Sequence, residues 1–208
     1  MQNEDNKPTA NLRTVGILIF DEVEVLDACG PFEVFSVART PNHHEDEHRL
    51  FRAYMIAQEL RTITCRGGML LQPHYAIDSH PDLDLILVPG GQGTRRERTN
   101  SVLIRWIEHQ NLTSQLTLSV CTGAFLLAEA GLLRGLRATT HWNSIEYMRS
   151  QYPRVKMVSN TRFVDEGKII TSAGISAGID MSLHVVSRLH GKETALWTAR
   201  RMEYTWSG

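Results

Sequence analysis

The run Leu116-Thr117-Leu118-Ser119-Val120 alternates as a buried strand does, and Ala124-Phe125-Leu126-Leu127-Ala128-Glu129-Ala130, closed by Gly131, has the composition of a helix. Cys121 stands at the junction, with only Thr122 and Gly123 before the helix. A strand that turns at once into a helix leaves that side chain on a sharp elbow. There the first-turn amides and the positive end of the helix dipole stabilise an anion. The spacing therefore predicts a thiol of lowered pKa with an enlarged thiolate fraction, a sulfur counterpart of the serine nucleophile elbow. A buried structural cysteine ending a strand is the competing reading. The chemistry in view is covalent attack by sulfur.

Asp27, in Leu26-Asp27-Ala28-Cys29-Gly30-Pro31, lies beyond the first strand. Its structural alternative is a helix cap, a task that Gly30 ahead of Pro31 can also fill. Freed from capping, the carboxyl could share a proton with a thiolate as general acid or base. Pro89-Gly90-Gly91-Gln92-Gly93 also follows a buried strand. Its glycines either make the turn or let backbone amides approach a ligand without a Cβ in the way. In the second case the amides of Gly91 and Thr122, with Gly90 beside them, form an oxyanion-hole-like pair.

Gly174-Ile175-Ser176-Ala177-Gly178 matches the serine-elbow pattern literally. Only 32 residues follow Ser176, mostly helical, too few to deliver the acid and histidine that motif needs. The segment, Ile175 included, is expected instead to pack on the Cys121 elbow and line its pocket. His141 is either structural or the base that activates sulfur. His43, His44 and His48 stand among carboxylates in a polar loop, and no metal site is expected there. Cys29 is expected to border the pocket and Cys65 to belong to the core.

A chain of 208 residues, 42% hydrophobic and 22% charged, has ordinary globular composition. Residues 15–20 form a near-continuous apolar run, as in a strand buried on both faces. Residues 50–57, 83–88 and 168–171 read as further strands, and 62–72 as a hairpin turning at Gly67-Gly68. Helices are expected to open at Gly30-Pro31 and to cover 101–109, 179–189 and 193–204. This alternation predicts a parallel sheet covered on both faces, with ligands at the carboxyl ends of the strands. The loops after Phe20, Val88 and Val120 should then share one crevice. Residues 1–11 read as a solvated tail and 12–208 as a single domain. A net charge of −1 makes no electrostatic case for nucleic acid or an anionic membrane. No apolar run approaches the ~18 residues of a membrane span, the first residues lack the order of a secretory signal, and three cysteines suit reduced thiols in the cytoplasm.

Together, Phe20-Asp21-Glu22-Val23-Glu24-Val25-Leu26-Asp27 through Gly30-Pro31, Pro89-Gly90-Gly91, Val120-Cys121-Thr122-Gly123-Ala124, Arg137-Ala138-Thr139-Thr140-His141-Trp142 and residues 174–180 resemble the ThiJ/PfpI superfamily. The likeness is greatest to isonitrile hydratases and to related domains of transcriptional regulators. It implies a flavodoxin-like, glutamine-amidotransferase-like α/β fold, a three-layer sandwich with a mostly parallel central sheet. It also implies a nucleophile at Cys121, an acidic partner at Asp27, an assisting side chain at Thr122, no cofactor, and a homodimer. The peptidase-like branch carries His after the nucleophile and Glu as partner, where this sequence has Thr122 and Asp27. Glutaminases of the fold need a downstream His-x-Glu that neither His184 nor His190 begins. The regulators carry a helix-turn-helix domain after this one, for which the sequence up to Gly208 leaves no room. Cys29 stands where hydratases often carry Thr. The implied activity is hydration of a small isonitrile, R–N≡C, to an N-substituted formamide. The alternatives are a non-catalytic ligand sensor or thiol stress protein, and a glyoxalase- or amidase-like enzyme.

Overall fold

Apolar strands that would each expose two faces to water line up in one sheet, and helices seal both sides. The computed structural model describes residues 12–41, 43 and 48–208; the expected tail at 1–11 and His44 lie outside them. Strand β1 (Arg13–Leu18) buries Val15, Ile17 and Leu18 completely. Helix α1 (Val25–Val37) leads to β2 (Phe51–Ala57), which pairs with β1 in parallel. The hairpin β3 (Ile63–Thr64) and β4 (Leu70–Leu71) turns at Gly67 and Gly68, both at positive φ. Then come β5 (Tyr75–Ala76), β6 (Leu85–Val88), α2 (Thr94–Glu97), α3 (Ser101–Thr113), β7 (Leu116–Val120) and α4 (Gly123–Glu129). The last part holds β8 (Arg137–Ala138), α5 (Ile145–Gln151), β9 (Lys156–Met157), β10 (Phe163–Asp165), β11 (Ile169–Ser172), α6 (Ala177–His190) and α7 (Lys192–Arg201).

The main sheet runs β10-β11-β7-β6-β1-β2-β5. Every pairing is parallel except that of β10 with β11. Leu85, Ile86, Leu87 and Val88 are all fully buried, each contributing roughly 1.5–3 kcal/mol by leaving water. That burial places β6 at the rigid centre of the sheet. Helices α1, α6 and α7 pack together, and α4 packs with α2 and α3. The result is an α/β sandwich with a mostly parallel sheet between helical layers.

The structure corrects several boundaries. The first strand ends at Leu18, with Ile19 and Phe20 already leading into the loop. Helix α1 opens at Val25, so Gly30 and Pro31 lie inside it and Asp27 sits in its first turn. Tertiary packing overrides the proline signal: Gly30 presses against Ile179, and Gly178 approaches Pro31, so α1 and α6 meet closely along small residues. The segments α2, α5, β5, β8, β9 and β10 have no counterpart in the sequence reading. They span two to seven residues, too short for periodicity to register.

Candidate active site

Cys121 directly follows β7 at φ 56°, a left-handed conformation for a residue with a Cβ. Such backbone costs on the order of 1–3 kcal/mol and persists only where its surroundings over-determine it. Here they do. The Cys121 amide donates to Ser172 O at 3.1 Å and to Ala173 O at 3.2 Å, while the buried Thr140 hydroxyl donates to Cys121 O at 2.7 Å. Glycine at 123 is required, because a Cβ there would lie 2.0 Å from Val88 O.

The loops after β1 and β6 are zipped to each other beside this elbow. Val23 bridges Gly91, Glu24 N donates to Gly90 O at 2.9 Å, and Gly93 N donates to Glu22 O at 3.2 Å. The zipper brings Asp27 under the sulfur. Its carboxyl is fully buried and accepts the Gly90 amide at Oδ2, 3.0 Å away. The same carboxyl also interacts with the Cys121 thiol and the Ile175 amide. A Cβ on Gly90 would sit 2.6 Å from both Thr122 N and Thr122 Oγ1, so only glycine admits this approach.

The electrostatics reverse the expectation of an acidic thiol. Burial first, and the Asp27 charge second, push Cys121 up to about 12, although the Thr122 amide and hydroxyl act in the opposite direction. Burial likewise raises Asp27 to about 7, against the opposing Gly90 hydrogen bond. Near neutral pH the pair therefore holds one proton on sulfur and loses or keeps a second at Asp27. Desolvation in the dry site, with the Asp27 charge added to it, outweighs what the Thr122 amide at the helix N-terminus contributes.

Thr122 Oγ1 accepts the Gly91 amide at 3.0 Å. The Gly91 N–H expected to face an anion is thus directed at a side chain, whereas the Thr122 amide interacts with the sulfur. Sequence reasoning missed Thr94, whose buried hydroxyl donates to Gly91 O at 2.7 Å and lies 3.2 Å from Thr122 Oγ1. Nothing in its neighbourhood of the sequence marks it.

A cavity of about 360 Å³ opens over Cys121, Thr122, Gly91, His141 and Ile175, with Glu24 and Arg66 at its side. Cys121 is 6% exposed, enough to reach it. His141 accepts the Asn143 amide at Nδ1, 3.3 Å, and its ring fills the space a Cβ on Gly174 would occupy. Burial and the Arg66 charge lower its pKa, favouring the neutral ring. Ile175 shares the left-handed backbone of the elbow, at φ 49°. Ser176 accepts Arg162 Nη2 at 3.1 Å and is not among the lining residues. Cys29 is half-buried on α1 and also lies outside the lining, contrary to expectation, while Cys65 is buried in the core. Among the described residues no group of three His, Cys, Asp or Glu could hold a metal ion, and no helix is long and apolar enough to cross a membrane.

A helix-borne acid tied to a glycine loop thus lies beneath a strand-to-helix cysteine. Residues 13–188 match the DJ-1/PfpI family. The chain belongs to that family. A curated isonitrile hydratase of Pseudomonas putida is 32% identical over 191 residues, covering 91% of this chain and 78% of that protein. The HTH-type transcriptional regulator GbdR of Pseudomonas aeruginosa is 29% identical over 183 residues, 88% of this chain but 48% of the regulator. The chain thus spans about half the length of that regulator. In fold it is similar to a ThiJ/PfpI family protein from Pseudomonas syringae, with a TM-score of 0.84 at 24% identity, covering 100% of this chain and 83% of the other. Drosophila melanogaster DJ-1beta aligns at TM-score 0.78 and 17% identity, covering 94% and 100%.

Proposed function

We propose that this chain is a cofactor-independent, cysteine-dependent isonitrile hydratase. The observation that carries the reading is the buried Asp27 carboxyl beside the Cys121 thiol at the foot of the cavity. The similarity to the Pseudomonas putida hydratase supports it. Asp27, as carboxylate, takes the thiol proton while sulfur attacks the terminal carbon of R–N≡C. The same proton then passes from Asp27 to that carbon, giving the thioimidate R–N=CH–S–Cys121. Water adds to the C=N carbon, its protons going to nitrogen and sulfur as the C–S bond breaks. The product is R–NH–CHO, and the thiol is restored.

A thiol of high pKa suits this route. The proton that must reach carbon is already at the sulfur, and Asp27 near 7 can both accept and release it at neutral pH. The Thr122 amide and hydroxyl stabilise sulfur as it gains charge, and Ile175 and His141 bound the substrate. Homodimerisation in the cytoplasm, with residues 12–208 as one domain, belongs to the same reading; light scattering checks the dimer. The test of the reaction follows loss of the isonitrile infrared stretch and formation of the formamide. Wild type should turn over and Cys121→Ala should not; turnover by Cys121→Ala at the wild-type rate overturns the mechanism.

The 29% identity to GbdR favours a second reading, a ligand-sensing domain that uses the same crevice. A Cys121 that labels readily, in a protein that turns over no isonitrile, aldehyde or amide, would select it.

A further inference from the structure

The cavity over Cys121 does not end at Thr122. Arg95 and Thr122 also line an adjoining cavity of about 500 Å³ whose walls carry Arg98, Phe125 and Tyr147. The two form one trough, with a reacting end at sulfur and an aromatic end beyond it.

The charges along this trough are unbalanced. Among the described residues Glu24 is the one acidic residue lining it, and its carboxylate pairs with Arg66 at 3.1 Å. Arg98 pairs with Glu129 at 3.1 Å and lies over the Phe125 and Tyr147 rings at 5.4 and 5.6 Å. Arg95 differs: among the described residues no carboxylate lies within ion-pair distance of it, and its guanidinium bonds the neutral side chain of Gln92. Its position is not arbitrary. Thr94 before it is tied to Gly91, and a Cβ on Gly93 would lie 2.1 Å from Asp21 O, so the start of α2 is clamped to the loops that build the site. A guanidinium presents a planar fork of donors that matches a carboxylate in a way a simple point charge does not.

We propose that the trough selects small electrophiles bearing a distal monoanion, a carboxylate above all, with Arg95 pairing the anion and Phe125 and Tyr147 flanking the apolar middle of the molecule. The proposal rests on Cys121 as the reacting group and narrows its substrates to an acidic class. For the hydratase reading, that class is isonitriles carrying a carboxylate on their substituent.

The test compares two thiol reagents of one chemistry, N-ethylmaleimide and N-(2-carboxyethyl)maleimide, scored at Cys121 by peptide mass spectrometry. The rate ratio, anionic over neutral, is normalised to that of free cysteine to remove intrinsic reactivity. In wild type at low salt the normalised ratio should be about three- to tenfold above one, and it should shrink in high salt as screening shortens the reach of the charge. Arg95→Gln should bring it close to one, and Arg95→Lys should restore part of it. A ratio unchanged by Arg95→Gln, or at or below one in wild type, overturns the proposal. So does a Cys121 that neither reagent labels, since the trough is then closed to molecules of this size. Isonitrile turnover is measured on the same samples. Arg95-dependent selectivity without turnover upholds the charge assignment and sinks the hydratase reading; turnover without that selectivity does the reverse.

Discussion

The Gly90 amide donates to Asp27 Oδ2 at 3.0 Å, so a loop from the centre of the sheet fixes a carboxyl carried by the first turn of α1. That bond, with smaller help from the Cys121 thiol and the Ile175 amide, opposes burial, but burial dominates, lifting Asp27 from 3.8 to about 7. The raised value has a definite sign in the folding equilibrium. Between about pH 4 and pH 7 the folded chain holds a proton that the unfolded chain has lost, so stability is highest below this window and falls as pH rises through it.

The first prediction follows from that sign. Across the window Asp27 should remove roughly 4 kcal/mol of stability, at ~1.4 kcal/mol per pH unit. Asp27→Asn should lack this component and lose less stability than wild type between pH 4 and pH 7. Urea denaturation at several pH values checks it; parallel wild-type and variant curves would refute it.

The same variant separates reactivity from turnover. Removing the carboxylate takes away a charge that raises the Cys121 pKa, so Asp27→Asn should label faster with a neutral alkylating agent at pH 8. Its isonitrile turnover should nevertheless fall by about 10²-fold or more, because the proton carrier is gone. Faster labelling together with undiminished turnover would remove Asp27 from the chemistry.

Backbone conformation at the elbow supplies a third expectation. At an ordinary strand or helix position, glycine is less stable than alanine by roughly 0.5–1 kcal/mol. At φ 56° the order should vanish or invert. Cys121→Gly should therefore melt at or above the temperature of Cys121→Ala. A clearly lower melting temperature for the glycine variant would contradict the strained geometry.

Thr94 is a positioning residue, acting through Gly91 and Thr122. Thr94→Val keeps the shape but removes the 2.7 Å donor to Gly91 O, which retains the Thr94 amide and the Thr122 hydroxyl at 3.3 Å, at a cost of about 0.5–1.5 kcal/mol. Thr94→Ser should restore most of the stability, and with it kcat; KM should change little in either variant. A valine variant with wild-type stability and kcat would show the hydroxyl to be idle.

Much of this site was legible in the chain itself, because its parts are local. Strand, one cysteine, two small residues and a helix define an elbow wherever they occur, and the glycine pair after residues 83–88 announces a tight turn. The runs at β1 and β6 declare buried parallel strands through their near-continuous apolar character, and β7 through its alternation. From parallel strands it follows that their carboxyl-end loops converge, and Cys121, Asp27 and Gly91 do meet there.

What the tertiary structure alone decided is the sign of the electrostatics. Local connectivity puts a helix N-terminus beside Cys121 and argues for an acidic thiol; the fold adds dryness and a carboxylate from α1, and the thiol moves the other way. The helix around Asp27 starts earlier than Pro31 suggests, and Gly30 and Pro31 lie inside it where it packs against Gly178 and Ile179 of α6. Arg66 enters the site from the hairpin turn, and Thr94 and Arg95 from just beyond the glycine loop, none of them marked by its own spacing. Desolvation and pairwise charge depend on distances between residues far apart in the chain, and spacing along a sequence carries no record of those distances.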